Sequence, residues 1–290
     1  MPELPEVETT KTSLKPLIGQ RVTAVEVRQP SMRWPVPSNL GLLQGQTLVS
    51  LERRAKYILA HFEHLQTGHA GNSLLLHLGM SGSLMLVPAD QLLRKHDHVM
   101  ISFEHTQLRY HDPRRFGAVM WLDADSQSLL EKLAPEPLTD DFNADYLFEK
   151  LKNKNIAIKA AIMDNHLVVG VGNIYATEAL FHTHIHPLRP AKSLSKAEVI
   201  LLTSEIKRIL MAAIALGGST LRDYVNGMGE NGYFQQTLDV YGRAKQPCHQ
   251  CHTLIESVKI GQRASAFCPK CQPLGIVTSI DSKITRIHQA

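Results

Sequence analysis

The chain has 290 residues, which exceeds the usual size of one compact domain and predicts two or three. Hydrophobic residues make up 43% and charged residues 20%, as is typical of globular proteins. No segment is long and apolar enough to span a bilayer, and the first ten residues lack the basic and apolar regions of a secretory signal. We therefore expect a cytoplasmic protein.

The net charge of +4 is concentrated at the C-terminal end of the chain. From Tyr241 onward, seven lysines and arginines stand against two acidic residues. A basic region of this kind is expected in a protein that binds a polyanion such as nucleic acid, although a solubilising tail would carry the same charge.

In chain order, the first predicted element is a short helix over residues 5–18, because apolar residues recur at near-helical spacing and Gly19 follows as a stop signal. Eight runs of β-branched and aliphatic residues come next, separated by Gly, Pro and Asn. They predict an N-terminal β-sandwich or barrel over residues 1–125. The runs are RVTAVEV, TLVSLER, KYILAHF, NSLLLHL, GSLMLV, HVMISF, QLRYH and GAVMWL.

The second half of the chain has a helical pattern. Residues 126–150 are predicted to form a linker, and residues 151–240 a helical domain. Helical patterns are predicted in DYLFEKLKN, IAIKAAIMD, IYATEALFHT and SKAEVILLTSEIKRILMAAIA. Within that domain, five glycines between Gly217 and Gly232 predict a mobile loop over residues 217–238. A cysteine-containing module over residues 241–275 and an extension over 276–290 complete an α+β protein.

All four cysteines lie in that module, as two C-x2-C pairs separated by sixteen residues. This spacing indicates a tetrahedral zinc site, with disulfides as the disfavoured alternative in a cytoplasmic chain. Four thiolates leave no position for water, so we expect one structural Zn²⁺ ion. The segment between the pairs alternates as a hairpin, with Arg263 close to its bend. The predicted ligands are Cys248, Cys251, Cys268 and Cys271.

Several motifs occur in an order and at a spacing that resemble the bacterial formamidopyrimidine-DNA glycosylases. They are MPELPEVE, RRAKY, HLGMSG, KHDH, DPRRFG, VVGVGNIYATEAL and the closing cysteine pairs. The resemblance covers nearly the whole chain. It implies a catalytic β-sandwich, a helix-two-turn-helix domain with a lesion-capping loop, and a zinc finger. It further implies a bifunctional DNA glycosylase and AP lyase that excises oxidised purines and acts as a monomer on damaged or abasic duplex DNA at the bacterial nucleoid.

The resemblance also implies catalytic roles for four residues. Pro2, once Met1 is removed, becomes a secondary amine that attacks the sugar C1′ of the damaged nucleotide. Glu3 is the general acid and base that protonates the sugar ring oxygen. Lys56 contacts phosphate and assists β-elimination, and Arg263 is linked to the second, δ elimination. Ordinary structural roles, such as a helix start at Pro2, are the alternatives.

DNA contacts are implied in the same way. Met80, Arg114 and Phe116 match the wedge residues that fill the space left by the extruded nucleotide, with core packing as the alternative for Met80 and Phe116. The glycine-rich start of the second helix in the helix-two-turn-helix element predicts that its backbone amides bind phosphate. The other implied contacts to phosphate or lesion are His77, His96, Lys154, Lys159 and Asn173.

Two alternative functions stay open from the sequence. An endonuclease VIII-like enzyme for oxidised pyrimidines would share Pro2, Glu3, the helical element and the zinc hairpin, but Leu4 and DPRRFG favour the purine enzyme. A zinc protein that binds damaged DNA without cutting it would not need Pro2, Glu3 and Lys56 together.

Overall fold

The structure is a computed structural model, and it describes residues 2–64, 69–219, 227–228 and 232–275. The predicted C-terminal extension and residues 220–226 and 229–231 of the predicted capping loop lie outside these described residues. Among the helices that the structure describes, none has the length and apolar character needed to cross a membrane.

The first helix, α1, spans Leu4–Ser13 and is shorter than predicted. Pro16 lies in a separate 3₁₀ turn, Lys15–Leu17, because proline restricts the residue before it and has no N–H to continue the helical ladder. Gly19 follows with a φ of +87°, a conformation that favours glycine and turns the chain toward the sheets.

The eight predicted strands form two four-stranded antiparallel sheets, which confirms the predicted β-sandwich. One sheet has the order β2-β3-β4-β8 and the other β1-β6-β7-β5. Their facing side chains, with Leu14 and Leu17 beside α1, bury one apolar core. The strands are β1 (Ala24–Val27), β2 (Thr47–Arg54), β3 (Tyr57–His64), β4 (His69–His77), β5 (Ser83–Pro88), β6 (Asp97–Ser102), β7 (Thr106–His111) and β8 (Ala118–Trp121).

Five helices follow in the part of the chain that the structure describes, and the last four surround a second buried core. α3 lies in the predicted helical run DYLFEKLKN, and most of α2 also falls within residues 126–150, so the predicted linker is partly helical. Asp123 and Asn143 explain why, since each caps the first turn of a helix through its side chain. The helices are α2 (Ala124–Glu131), α3 (Ala144–Leu151), α4 (Ile158–Ile162), α5 (Asn173–His182) and α6 (Lys196–Ala215).

The C-terminal module is a hairpin of β9 (Glu256–Ile260) and β10 (Arg263–Phe267). Gly261 and Gln262 both have positive φ, as in the two-residue turns that match strand twist. The module packs against α5 through a small core that includes Phe181. The turn at Arg263 is thereby fixed relative to the helical domain.

Candidate active site

Glu3 joins the start of α1 to the start of α5. It is 2% exposed, and its carboxylate accepts hydrogen bonds from the N–H groups of Gly172 at 2.8 Å and Ile174 at 2.9 Å. A Cβ at Gly172 would lie 2.3 Å from the Glu3 carboxyl carbon, so only glycine leaves room for this approach. The N-terminal end of a helix dipole also favours an anion here. These amides, expected to bind phosphate, are therefore occupied by a carboxylate of the chain itself.

Pro2 is buried and directly precedes this carboxylate. Behind it lies a second buried acid, Glu6, which accepts the backbone N–H of Glu3 at 2.8 Å and the hydroxyl of Tyr175 at 2.6 Å. Burial raises the pKa of Glu6, and the nearby Glu3 charge raises it further. The N–H of Ser219 also donates to Glu6, at 2.7 Å. The N-terminal end of the chain is thus fixed by contacts from two other segments.

Lys56 lies in the two-residue turn between β2 and β3. Burial lowers its pKa, the charges of Glu3 and Glu6 raise it, and that of Arg263 lowers it. The net direction is downward, which leaves more of the amine neutral near physiological pH. Lys56, Glu3 and Arg263 come from distant parts of the sequence, and their charges meet at this site.

Glu136 holds the Lys56 turn in place. Its carboxylate accepts hydrogen bonds from the Ala55 N–H at 2.6 Å, from Arg53 at 2.6 Å and from Arg54 at 3.0 Å. Ala55 has a φ of 53°, a conformation that non-glycine residues adopt only when the surroundings enforce it. A residue from the predicted linker therefore sets the position of the predicted catalytic lysine.

Lys159 and Asn173 connect the helical domain to the zinc hairpin. The Lys159 ammonium is 1% exposed and donates to the Asn173 side chain at 2.5 Å and to the Ser265 hydroxyl at 2.6 Å. Burial lowers the pKa of Lys159 to about 8. Asn173 in turn donates to the carbonyl of Ala264 at 3.2 Å. These contacts fix β10, and Arg263 at its start is exposed.

Met80, Arg114 and Phe116 project from two adjacent loops of the sandwich. Met80 is 44% and Phe116 43% exposed, so neither packs in the core, and the Arg114 guanidinium lies 4.8 Å from the Phe116 ring centroid. The fully buried carboxylate of Asp112 joins the loops, because it accepts the Ser81 hydroxyl at 2.7 Å and the Gly117 N–H at 2.9 Å.

The remaining predicted DNA contacts are His77, His96 and Lys154. His77 is half-buried, and burial followed by the charges of Arg33 and Lys56 lowers its pKa to about 4. His96 is half-buried, with its ring 5.9 Å from that of His111. The Lys154 ammonium is 3.9 Å from the Asp164 carboxylate. The structure thus places the Lys154 charge in an ion pair of the helical domain.

The four cysteines form a compact group. Their sulfur atoms all lie within 4.8 Å of one another, with Cys251 and Cys268 at 3.4 Å and Cys248 and Cys271 at 3.9 Å. A tetrahedral ion with Zn–S bonds of about 2.3 Å separates its sulfurs by about 3.8 Å, so the donor set fits zinc. No disulfide joins these residues. The zinc holds the hairpin, and its four thiolates leave no open position for substrate.

Four residues of the site escaped the sequence reasoning: Asp112, Glu136, Tyr175 and, beside His77, Arg33. Asp112 and Tyr175 lie inside quoted motifs, whereas Glu136 and Arg33 lie outside them. Of the four, only Asp112 could have been found from the sequence. It opens the motif DPRRFG, and an aspartate before a proline commonly accepts local backbone N–H groups.

Comparisons with known proteins agree with this arrangement. Three family models match: the formamidopyrimidine-DNA glycosylase N-terminal domain over residues 1–119, its H2TH domain over 133–225, and a zinc finger found in FPG and IleRS over 245–274. The class is thus an enzyme with a sandwich, a helix-two-turn-helix domain and a zinc finger.

Similar proteins narrow that class. The formamidopyrimidine-DNA glycosylase of Acinetobacter baylyi is 62% identical over 94% of this chain and 99% of its own length. Two solved structures of the Lactococcus lactis enzyme, a mutant with Fapy-dG-containing DNA and a complex with abasic-site DNA, have TM-scores of 0.85 and 0.84 at 34% and 35% identity. They cover 94% and 93% of this chain and 100% and 99% of their own. The chain belongs to the formamidopyrimidine-DNA glycosylase family, the glycosylases of base excision repair.

Proposed function

We propose that this enzyme excises oxidised purines, including 8-oxoguanine and formamidopyrimidines, from duplex DNA and then cuts the strand through the amine of Pro2. The observation that carries the proposal is the junction of α1 and α5. Pro2 is buried beside a carboxylate anchored on helix amides, and the charges of Lys56 and Arg263 act at the same place.

The chemistry follows from a secondary amine. With Met1 removed, the Pro2 nitrogen attacks the sugar C1′ as the bond to the damaged base breaks, and Glu3 takes the proton that the amine releases and passes it to the ring oxygen as the sugar opens. The resulting iminium carries its positive charge without a proton, so it accepts the electrons released when a C2′ proton is removed. The 3′ phosphate leaves in that step, and loss of a C4′ proton expels the 5′ phosphate.

The proposal assigns Lys56 to phosphate binding and β-elimination and Arg263 to δ-elimination. A lowered pKa supports a proton-transfer role for Lys56, because a neutral amine can take the C2′ proton. Arg263 is exposed at a rigid hairpin turn, where its guanidinium can pair with a phosphate.

The lesion must leave the helix before Pro2 can reach it. Unstacking and unpairing a base costs a few kcal/mol, and side chains that fill the space offset this cost. Met80 and Phe116 supply exposed apolar surface, and Arg114 supplies donors for the orphaned partner base. His77, His96, Lys154, Lys159 and Asn173 complete the proposed DNA-contacting set.

A cleavage assay on matched duplexes tests the substrate assignment. The duplexes carry 8-oxoguanine, a formamidopyrimidine, thymine glycol or no lesion, each opposite its normal partner. We expect cleavage of both purine lesions, with phosphate at both ends of the gap, and little of the undamaged duplex. Preference for thymine glycol would support the endonuclease VIII-like alternative, and binding without cleavage the non-catalytic one.

We also propose that the protein acts as a monomer on nucleoid DNA in the bacterial cytoplasm. The site draws all its proposed residues from one chain, so no second copy is needed to complete it. Light scattering of the purified protein, alone and with a lesion duplex, should give the mass of one chain and of one chain plus one duplex. A dimer in either sample would contradict this proposal.

A further inference from the structure

A second group of potential metal ligands lies outside the DNA-processing site, where α5 meets the segment that leads into the zinc module. Glu178 and His182 are one helical turn apart on α5, and Asp239 approaches them from that segment. One donor atom from each lies within 4.8 Å of the others. The imidazole Nε2 of His182 is 3.2 Å from a carboxylate oxygen of Asp239.

The separations between the donor atoms suit a metal ion. Around a tetrahedral ion with bonds of about 2.0 Å, neighbouring donors are about 3.3 Å apart, close to the His182–Asp239 separation. Glu178 accepts two backbone N–H groups on Oε1 but only one on Oε2, so Oε2 keeps a lone pair. The side chains of His182 and Asp239 are 29% and 22% exposed, which lets water complete the coordination.

The electrostatic surroundings favour a cation. Burial by itself lowers the pKa of His182, but Asp239, Glu205 and Glu178 raise it overall. The nearby Arg208 is paired with Glu205 at 2.6 Å. The negative charge of the three carboxylates therefore exceeds the positive charge of Arg208. This excess favours either a proton on His182 or a bound metal ion.

Asp239 is also held from its other side. The Nδ1 atom of His249, in the zinc module, lies 3.0 Å from the second carboxylate oxygen of Asp239. Contacts on both oxygens orient the carboxylate toward His182, as outer partners orient metal ligands in known sites.

We propose that Glu178, His182 and Asp239 bind a second divalent transition-metal ion of the zinc class, separate from the ion held by the four cysteines. Imidazole with carboxylates is a donor set that suits Zn²⁺ and Co²⁺. The ion bridges the helical domain to the chain entering the zinc module, so its occupancy stabilises the docking of that module.

Metal titration of the full-length protein, prepared with one zinc per chain, tests this site directly. Added Zn²⁺ should bind one further equivalent by calorimetry and raise the Tm. Added Co²⁺ should give weak visible bands without the intense ultraviolet absorption of cobalt–thiolate bonds. The proposal would be overturned if the protein bound no metal beyond its first zinc, or if the second ion produced cobalt–thiolate absorption.

Variants identify the ligands. His182→Gln and Asp239→Asn should each weaken the affinity for the second ion at least tenfold, because loss of a residue that only hydrogen-bonds to a metal ligand already costs ten- to a hundredfold. His166→Gln is the matched control, since His166 pairs with Asp164 at 2.9 Å in the same domain and, among the residues that the structure describes, no third potential ligand joins that pair. Equal affinity in wild type and both ligand variants, each folded by circular dichroism, would place the second ion elsewhere and refute the assignment.

Discussion

Ser81→Ala should uncouple the two wedge loops while leaving the Pro2 chemistry intact. The variant removes the 2.7 Å hydrogen bond from the Ser81 hydroxyl to the buried carboxylate of Asp112, which keeps its backbone donors at Gly117 and Arg114. A hydrogen bond to a charged group contributes about 1.5–3 kcal/mol, and about 1.4 kcal/mol corresponds to a tenfold change in rate. We expect kcat/KM on a duplex lesion to fall roughly ten- to 150-fold.

The assay compares the activity of each variant on two DNA substrates. An 8-oxoguanine duplex requires base extrusion, whereas an abasic site in a single strand requires only Pro2 and the elimination residues. Ser81→Ala should reduce activity on the 8-oxoguanine duplex and leave activity on the single-stranded abasic site unchanged. Ser81→Thr should restore activity on the duplex. The control Ser193→Ala removes a 2.8 Å hydroxyl contact in the helical domain and should change neither activity. An equal loss on both substrates would refute the coupling of the loops.

Three further predictions concern stability and elimination. Glu136→Gln should lower the Tm and slow strand cleavage more than DNA binding, because it weakens the contacts that hold the Lys56 turn; a normal cleavage rate in a destabilised variant would show that the turn positions itself. Lys159 has a pKa of about 8 instead of 10.5, so the folded chain releases this proton first as pH rises. The free energy of unfolding of the wild type should therefore increase between about pH 8 and 10.5, relative to that of Lys159→Met. Denaturant titrations at each pH measure both free energies, and the same pH dependence in the two proteins would contradict this prediction. Removing zinc with a chelator should unfold the hairpin and abolish DNA binding; binding that survives complete zinc loss, measured by atomic absorption, would exclude the structural role.

The sequence predicted the fold because its patterns are local. Alternating apolar residues fixed eight strands, and C-x2-C spacing predicted the zinc hairpin. The end of α1 was misplaced, since the apolar spacing continued past Pro16 while the backbone did not. α2 was missed because the apolar residues in its eight positions are few, and its start depends on the Asp123 cap.

The site was predicted less completely, because contacts between distant segments leave no local pattern. The motif containing Glu3 indicated a functional acid, but nothing in it indicated that Gly172 and Ile174 would hold its carboxylate. Likewise, Glu136 lies about eighty residues from Ala55, and only the folded chain brings them together. Lys154 stays a predicted DNA contact, and its ion pair with Asp164 could not be predicted because it depends on the packing of the helical domain.

The central claim is that Pro2, freed of Met1, is the nucleophile, and borohydride trapping tests it most directly. Mass spectrometry first establishes that Met1 is absent, since a retained methionine would make the Pro2 nitrogen a non-nucleophilic amide. The processed protein is then incubated with a duplex containing 8-oxoguanine opposite cytosine, and borohydride is added. We predict a covalent adduct that maps to Pro2 and is strongly reduced in Pro2→Gly. Absence of an adduct, or an adduct on a lysine, would contradict the account.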